Sequence, residues 1–519
     1  MKNLKDNDYY KRRGRDAQKN SESAEIDIIS LNLNEEPKKR LQPEKEKRIK
    51  KKKRKQPSNK EFARVTYLFI TIFLAMMGYL VYFNAVKSKD IINSSYNVRL
   101  DSMADRVVRG EIYDNAGNVL AKTEVSEDGS EKRVYPYGSL YAHVVGYDSH
   151  GKAGLESEEN FNLLTSHAFF GERILKQIRE EKNIGDNVIT TLNTSLQQAA
   201  YDALGDYKGA VVVMEASTGK ILTMVSKPDF NPNKLSDNWE KISSSENSVL
   251  LNRATQGAYA PGSVFKLVTA LSYMRENADY TNYQYNCESE ITYEETTIHC
   301  AKGKAHGEIG LKESLAHSCN ASFCNIGLTL DIPKYQDTAE DLLFNSKLPS
   351  VLPYSKSKFQ LTGDAKSYEV MMTAMGQGET QVSPYHMALV TCAIANGGIL
   401  MEPYLVDEIV NYTGTTVEKN MPQKYGTLMS SEEAAQLKEY MQAVTEYGTA
   451  STLSGNGYTV AGKTGTAEYS SDKEKVHSWF VGFTNVDNPE LVISVVIESA
   501  DNSGMKAVSV AKKVFNAYY

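Results

Sequence analysis

Hydrophobic positions along this chain change rhythm several times, and each change marks a boundary. Residues 1–60 are polar and charged without an apolar period, which predicts a disordered, basic tail. From Val65 to Val86 the chain carries no charge and is rich in Leu, Ile, Phe, Met and Val. That run is long enough to span a bilayer and predicts a transmembrane helix over 61–87. A polar stretch leads to Arg109–Ala121, which reads as strand, turn, strand, with Asp114 to Asn118 supplying the turn. Ala142–Tyr147 reads as a short apolar strand, and Gly154-Leu155-Glu156 opens a helix. Residues 88–185 are therefore predicted to be a small α+β pedestal.

Past Asp186 the pattern changes again. Val188–Leu192 reads as a strand and Thr194–Leu204 as a helix. Gly209–Ala216 and Lys220–Ser226 read as two strands joined at Ser217-Thr218-Gly219. A mostly helical region follows to about Asn396. Strands resume at Tyr458–Glu468, Val476–Thr484 and Leu491–Glu498, and Ala507–Tyr519 closes the chain as a helix. Strands from both ends flank a helical insert. The fold predicted for 186–519 is one α/β domain, an antiparallel sheet of about five strands with helices on both faces and a helical subdomain.

Charge assigns these parts to different surroundings. The net charge is -6, yet residues 1–64 hold 21 Lys+Arg against 11 Asp+Glu. The basic run Arg48 to Lys55 lies just before the apolar segment. By the positive-inside rule this places the N-terminus in the cytoplasm and exports the remainder on a single-pass anchor in the cell membrane. Beside such an anchor, a basic cluster reads as topology and attraction to anionic lipid, with no nucleic-acid partner expected. Of the five cysteines, Cys287 and Cys300 bracket a polar segment that reads as a hairpin; a disulfide and two free thiols both fit. The eight histidines show no metal-ligand spacing, so neither a metal nor a cofactor is expected.

The candidate chemistry begins at Pro261-Gly262-Ser263-Val264-Phe265-Lys266. A Pro-Gly turn precedes it, and Val264, Leu267, Val268, Leu271 and Met274 then recur at helical spacing. Ser263 at the head of this helix has Lys266 one turn later on the same face. An apolar setting pushes a lysine toward the neutral amine, which can take the proton of a serine nucleophile. Ser-x-x-Lys alone is weak, since it also starts at Ser217, Ser355, Ser470, Ser503 and Ser509. The Ser217 match lies in a hairpin turn, where Ser and Lys do not stack as on a helix; of the others, only Ser263 is followed by Ser318-Cys319-Asn320 and then by Lys463-Thr464-Gly465-Thr466.

This ordered trio is the signature set of penicillin-binding proteins and serine β-lactamases. With Arg109-Gly110-Glu111-Ile112-Tyr113-Asp114, Gly154-Leu155-Glu156, Glu215 to Gly219 and Gly376-Gln377-Gly378, the chain resembles a class B penicillin-binding protein from about Arg109 onward. The resemblance implies a monofunctional peptidoglycan D,D-transpeptidase, acylated and inhibited by β-lactams. It implies Ser263 as nucleophile, Lys266 as base, Ser318 as proton relay and Asn320 as a hydrogen-bond partner of the donor peptide's backbone. Lys463 would supply positive charge, and Thr464 and Thr466 would grip the terminal carboxylate of a D-Ala-D-Ala stem peptide. Gly465 would keep strand and substrate close. Cys319 stands where the Ser-Asp-Asn form of the motif has Asp, with no role assigned. A SEDS-type glycan polymerase is the partner the resemblance implies. A D,D-carboxypeptidase, or a penicillin-binding scaffold or sensor without turnover, is the alternative.

Overall fold

The computed structural model describes residues 60–87, 98–468, 475–501 and 505–519. The tail over 1–59 with its basic run, and Ser470 and Ser503, lie outside the described residues. The chain divides into two units, Met1–Met77 and Gly78–Tyr519. The boundary falls inside helix α1 (Lys60–Tyr82). At 1.5 Å per residue α1 is about 35 Å long, enough to cross a hydrocarbon core of about 30 Å. Its apolar side chains, Leu68, Phe73, Met76 and Leu80 among them, are exposed all round the helix, as suits a lipid-facing surface. Among the described residues it is the one helix long and apolar enough to cross a membrane.

The pedestal contains β1 (Ile112–Tyr113), β2 (Val119–Val125) and β3 (Glu131–Val134). β1 and β2 pair antiparallel across the expected turn. Asp114 shapes that turn by accepting from the N–H groups of Ala116 (2.9 Å) and Asn118 (2.7 Å), an Asx turn. The short helix α2 (Leu155–Glu158) carries Glu156, which is fully buried. Glu156 pairs with Arg109 (2.6 Å) and Arg133 (2.7 Å). Burial alone would raise its carboxyl, but the two guanidiniums outweigh that and hold it at about 2. Two motifs separated along the chain are thus halves of one buried ion cluster. β4 (Asn187–Thr190) lies parallel to β1. It also pairs with Val406–Val410, so the six-stranded pedestal sheet takes strands from both sides of residue 186.

The expected strand at Ala142–Tyr147 is absent. A 3-10 turn over Gly138–Tyr141 runs on, with the N–H groups of Val144 and Val145 both bonded to Tyr141 O. Tyr141 to Val145 are all buried. A run buried on every side is apolar in either conformation, so its pattern does not distinguish strand from turn.

The second sheet fits the expectation. After α3 (Thr194–Leu204) come β5 (Gly209–Glu215) and β6 (Ile221–Lys227). A 3-10 turn over Gly262–Phe265 runs into α4 (Lys266–Glu276). α5 (Asn320–Thr329) and α6 (Pro384–Ala395) belong to the helical insert. Every residue of α6 is buried, as a helix at the centre of a large core must be. β7 (Val460–Glu468), β8 (Lys475–Thr484), β9 (Leu491–Asp501) and α7 (Ala507–Tyr518) complete the chain. The sheet order is β7-β8-β9-β5-β6, with each pair antiparallel. α3 and α7 pack together and on this sheet, and α6 also packs on β5 and β9. β7 is an edge strand, so one side of its backbone faces away from β8.

Candidate active site

The turn that presents Ser263 is held from three sides. Trp479, on β8, donates its indole N–H to Ala260 O (3.1 Å). Gly262 sits at φ +54° and its N–H donates to Gly376 O (2.8 Å). A Cβ on Gly262 would lie 2.5 Å from Thr466 O, so only glycine lets this turn press against β7. Gln377, its amide oriented from the hydrogen-bond pattern, donates to Glu468 O (3.2 Å) and accepts from Glu468 N–H (3.1 Å). The Gly376-Gln377-Gly378 loop thus braces both the turn and the end of the edge strand.

Ser263 opens into a cleft of about 1230 Å³ that is also lined by Ser318, Asn320, Thr464, Gly465 and Thr466. Beneath its floor lie Lys266 and Lys463, both with no exposed surface. Lys266 Nζ donates to Ser318 O (2.9 Å), Asn320 Oδ1 (2.7 Å) and, more weakly, Ser318 Oγ (3.4 Å). Its three donor directions therefore point across the site, with none given to Ser263. Lys463 Nζ donates to Ser318 Oγ (2.8 Å) and Thr464 O (2.8 Å). Ser318 is the hinge of the network. It adopts φ +56°, a left-handed conformation that a serine holds only when its surroundings impose it.

Burial pushes Lys266 down to about 8, against the opposing influence of the sulfur groups of Cys319, Cys324 and Cys300. Burial and then the neighbouring Lys266 drive Lys463 well below the ordinary lysine range. Two ammonium groups sharing one acceptor in a dry floor repel. Both effects oppose the positive charge expected of Lys463. The protein itself also constrains position 465. A Cβ there would meet Trp479 Cβ at 2.9 Å, Val264 Cγ1 at 3.0 Å and Pro261 O at 3.1 Å. The constraint comes from the protein's own nucleophile turn behind the strand.

Sequence reasoning missed Thr449, whose hydroxyl pairs with that of Thr464 (2.6 Å); a lone threonine in a loop carries no pattern. It also missed a grouping beside the site, which the spacing of the histidines alone does not reveal. Cys287, Cys300, His306 and Cys319 place their ligand atoms within 4.8 Å of one another. Their spacing, Cys-x12-Cys-x5-His-x12-Cys, is readable within 33 residues only when cysteines and histidines are taken together. All five cysteines are free thiols.

A serine at the mouth of a cleft, above two buried lysines joined through a second serine, on the edge of an antiparallel sheet between helices, defines a serine acyl-transferring enzyme. Residues 209–519 match the penicillin binding protein transpeptidase domain, and residues 109–188 match the penicillin binding protein A dimerisation domain. The chain belongs to the penicillin-binding protein transpeptidase family. It is 33% identical over 415 residues to the peptidoglycan D,D-transpeptidase PbpA of Mycolicibacterium smegmatis, covering 75% of this chain and 84% of that one. The imipenem acyl-enzyme complex of penicillin-binding protein A from M. tuberculosis superposes with a TM-score of 0.72 at 28% identity, covering 80% of this chain and 99% of that one. The D,D-transpeptidase domain of a peptidoglycan glycosyltransferase from Eggerthella lenta gives 0.71 at 30% identity, covering 80% and 98%.

Proposed function

We propose that this chain is a peptidoglycan D,D-transpeptidase that works through a Ser263 acyl-enzyme and is inhibited by β-lactams. The observation that carries the reading is Ser263 at the cleft mouth above the Lys266–Ser318–Lys463 network. Lys266 held near 8 has a substantial neutral fraction at physiological pH. Losing one proton costs it one of three hydrogen bonds, and the 3.4 Å contact to Ser318 Oγ is the weakest. The freed lone pair then accepts the Ser263 proton as Oγ attacks the carbonyl of the penultimate D-Ala. The N–H groups of Ser263 and Thr466 serve as oxyanion donors, a role worth about 3–4 kcal/mol each. The contact of Gly262 with Thr466 supports that pairing.

Ser318 Oγ accepts from both lysines, which fills its two lone pairs. Its own proton is left to point into the cleft, toward the nitrogen of the departing D-Ala. As the C–N bond breaks, that nitrogen takes the proton and Ser318 is resupplied from a lysine. Asn320, already held by Lys266, orients the donor peptide. Thr464 and Thr466 hydroxyls bind its terminal carboxylate beside Gly465. Arrival of that carboxylate favours the charged form of Lys463, which supplies the positive charge there. An amine of a second stem peptide then attacks the ester, forming the cross-link amide and releasing Ser263.

α1 anchors the chain in the cell membrane, with the basic N-terminus in the cytoplasm and the catalytic unit outside. On this reading the chain comprises a tail (1–60), a membrane helix (61–87), a pedestal (88–185) and a catalytic domain (186–519) that lends strands to the pedestal sheet. A monofunctional transpeptidase needs glycan strands made elsewhere, and a SEDS-type polymerase met through α1 and the pedestal is the fitting partner. The test is the intact mass of the full-length protein in detergent after benzylpenicillin. A lasting gain of one penicillin, absent in Ser263→Ala, is expected. No gain in a folded protein, or a gain that Ser263→Ala keeps, would overturn the assignment.

A further inference from the structure

The segment between α4 and α5 is built almost entirely of short ladders. Tyr285–Cys287 pairs with Gly307–Ile309, and Glu290–Tyr293 pairs with Thr296–His299. The second hairpin has no buried residue. The core beneath the module consists of Cys287, Cys300, Ile309, Cys319 and Ala321, flanked by Tyr285 and Ile291. Modules with so little apolar core are normally held by a disulfide or a metal. This one forms the cleft wall that supplies His299 and Cys300, and Asn320 Nδ2 donates to His299 O (3.1 Å).

At its centre, three sulfurs and one imidazole nitrogen converge. Cys287 and Cys300 Sγ are 3.6 Å apart, Cys300 and Cys319 3.6 Å, and Cys319 and Cys287 3.4 Å. His306 Nδ1 lies 3.4 Å from Cys287 Sγ. A tetrahedral zinc ion with Zn–S of about 2.3 Å and Zn–N of about 2.05 Å requires S···S edges of about 3.8 Å and S···N edges of about 3.6 Å. The three S···S edges and the Cys287–His306 edge fall within a few tenths of those lengths, and all four ligand atoms lie within 4.8 Å of one another. We propose that Cys287, Cys300, His306 and Cys319 form a structural zinc site that closes this module and fixes the Ser318-Cys319-Asn320 turn.

The surroundings suit thiolate ligands. Ser322 N–H donates to Cys319 Sγ (3.4 Å) at the start of α5. The backbone N–H groups of Ala321 and Asn320 are directed at Cys300. Backbone donors at a helix N-terminus stabilise sulfur anions and orient them for a metal. Three thiolates with one imidazole select zinc over magnesium or calcium, which take oxygen ligands. The His306 ring stacks on His317 at 5.7 Å and 10°, and His317 lines the cleft. Cys319 lies between the two active-site residues Ser318 and Asn320, so the ion would set the position of both without touching substrate.

The test is metal content of the full-length protein, produced in zinc-supplemented medium and purified in detergent without chelator. Elemental mass spectrometry should find one zinc per chain in the wild type and in Cys392→Ala, and almost none in Cys300→Ser or His306→Ala. Cobalt loaded in place of zinc should give the thiolate charge-transfer band and tetrahedral d–d bands, a readout that needs no variant to fold. Stripping the wild-type ion should slow benzylpenicillin acylation by about 10–100-fold, the usual range for groups that orient a site from behind, and added zinc should restore it. A wild-type chain without metal, a cobalt spectrum lacking thiolate character, or a mass two hydrogens light from a Cys287–Cys300 disulfide would each overturn the proposal. Metal content and the cobalt spectrum stand apart from the transpeptidase assignment, so either can fail without the other.

Discussion

Replacing Glu156 by Gln removes one charge and almost no volume from the pedestal, and leaves Arg109 and Arg133 buried against a neutral amide. The carboxyl lies at about 2 in the folded chain against an ordinary value of 4.5. A folded value below the unfolded one means the folded state prefers the anion. The gap corresponds to about 3 kcal/mol at neutral pH, and stranding two buried guanidiniums gives a similar 3–5 kcal/mol. The stabilisation is complete above about pH 4.5 and is lost as pH falls toward 2. Near pH 3 about 1 kcal/mol should remain. Urea unfolding of the full-length protein in detergent, wild type against Glu156→Gln, should show a loss of about 3 kcal/mol at pH 7 that shrinks steadily between pH 5 and 3. A loss below about 1 kcal/mol at pH 7, or one independent of pH, would refute the view that this ion cluster locks Arg109-Gly110-Glu111 to Gly154-Leu155-Glu156.

Three further outcomes are expected from the site. Acylation by benzylpenicillin requires neutral Lys266, so its second-order rate should climb about tenfold per pH unit below about 8 and level off above it; a flat profile from pH 6 to 9 would contradict this base. Ser318→Ala should remove the acceptor shared by both lysines and cut acylation by about 10²–10⁴-fold while the fold persists, read by stopped-flow with a chromogenic cephalosporin. Gly465→Ala should drive a Cβ into Trp479, Val264 and Pro261, costing about 1–3 kcal/mol of stability and slowing acylation, whereas an effect on carboxylate binding alone would favour the substrate-side explanation.

The legible parts of the chain were those where local pattern and long-range environment agree. A charge-free run of Val65–Val86 has one solution in water and lipid alike. The five-stranded sheet declared itself because β5, β6, β8 and β9 are long apolar runs broken by turn residues. Ser263 stood out because a Pro-Gly turn, a helical period and two later motifs converge on it. What stayed hidden depends on contacts between distant segments. Nothing local distinguishes the buried turn at Tyr141–Val145 from a strand. The partner of Glu156 lies 47 residues away, and the separate resemblance of its two motifs to a pedestal gave no reason for either. Lys463 reads as a charged strand residue until the structure sets it beside Lys266. Cys287 and Cys300 offered a pair in sequence, and only the fold adds Cys319 and His306 to make four.

The central claim is that the Ser263 acyl group is passed to an amine. The direct measurement is product analysis of the full-length protein in detergent or liposomes, given nascent uncross-linked glycan strands with D-Ala-D-Ala stem peptides, followed by muramidase digestion and mass spectrometry. The account predicts dimeric muropeptides joined through a new amide, with one D-Ala released per cross-link, and neither product with Ser263→Ala. Release of D-Ala with only monomeric, shortened stems would contradict it and make water the acceptor.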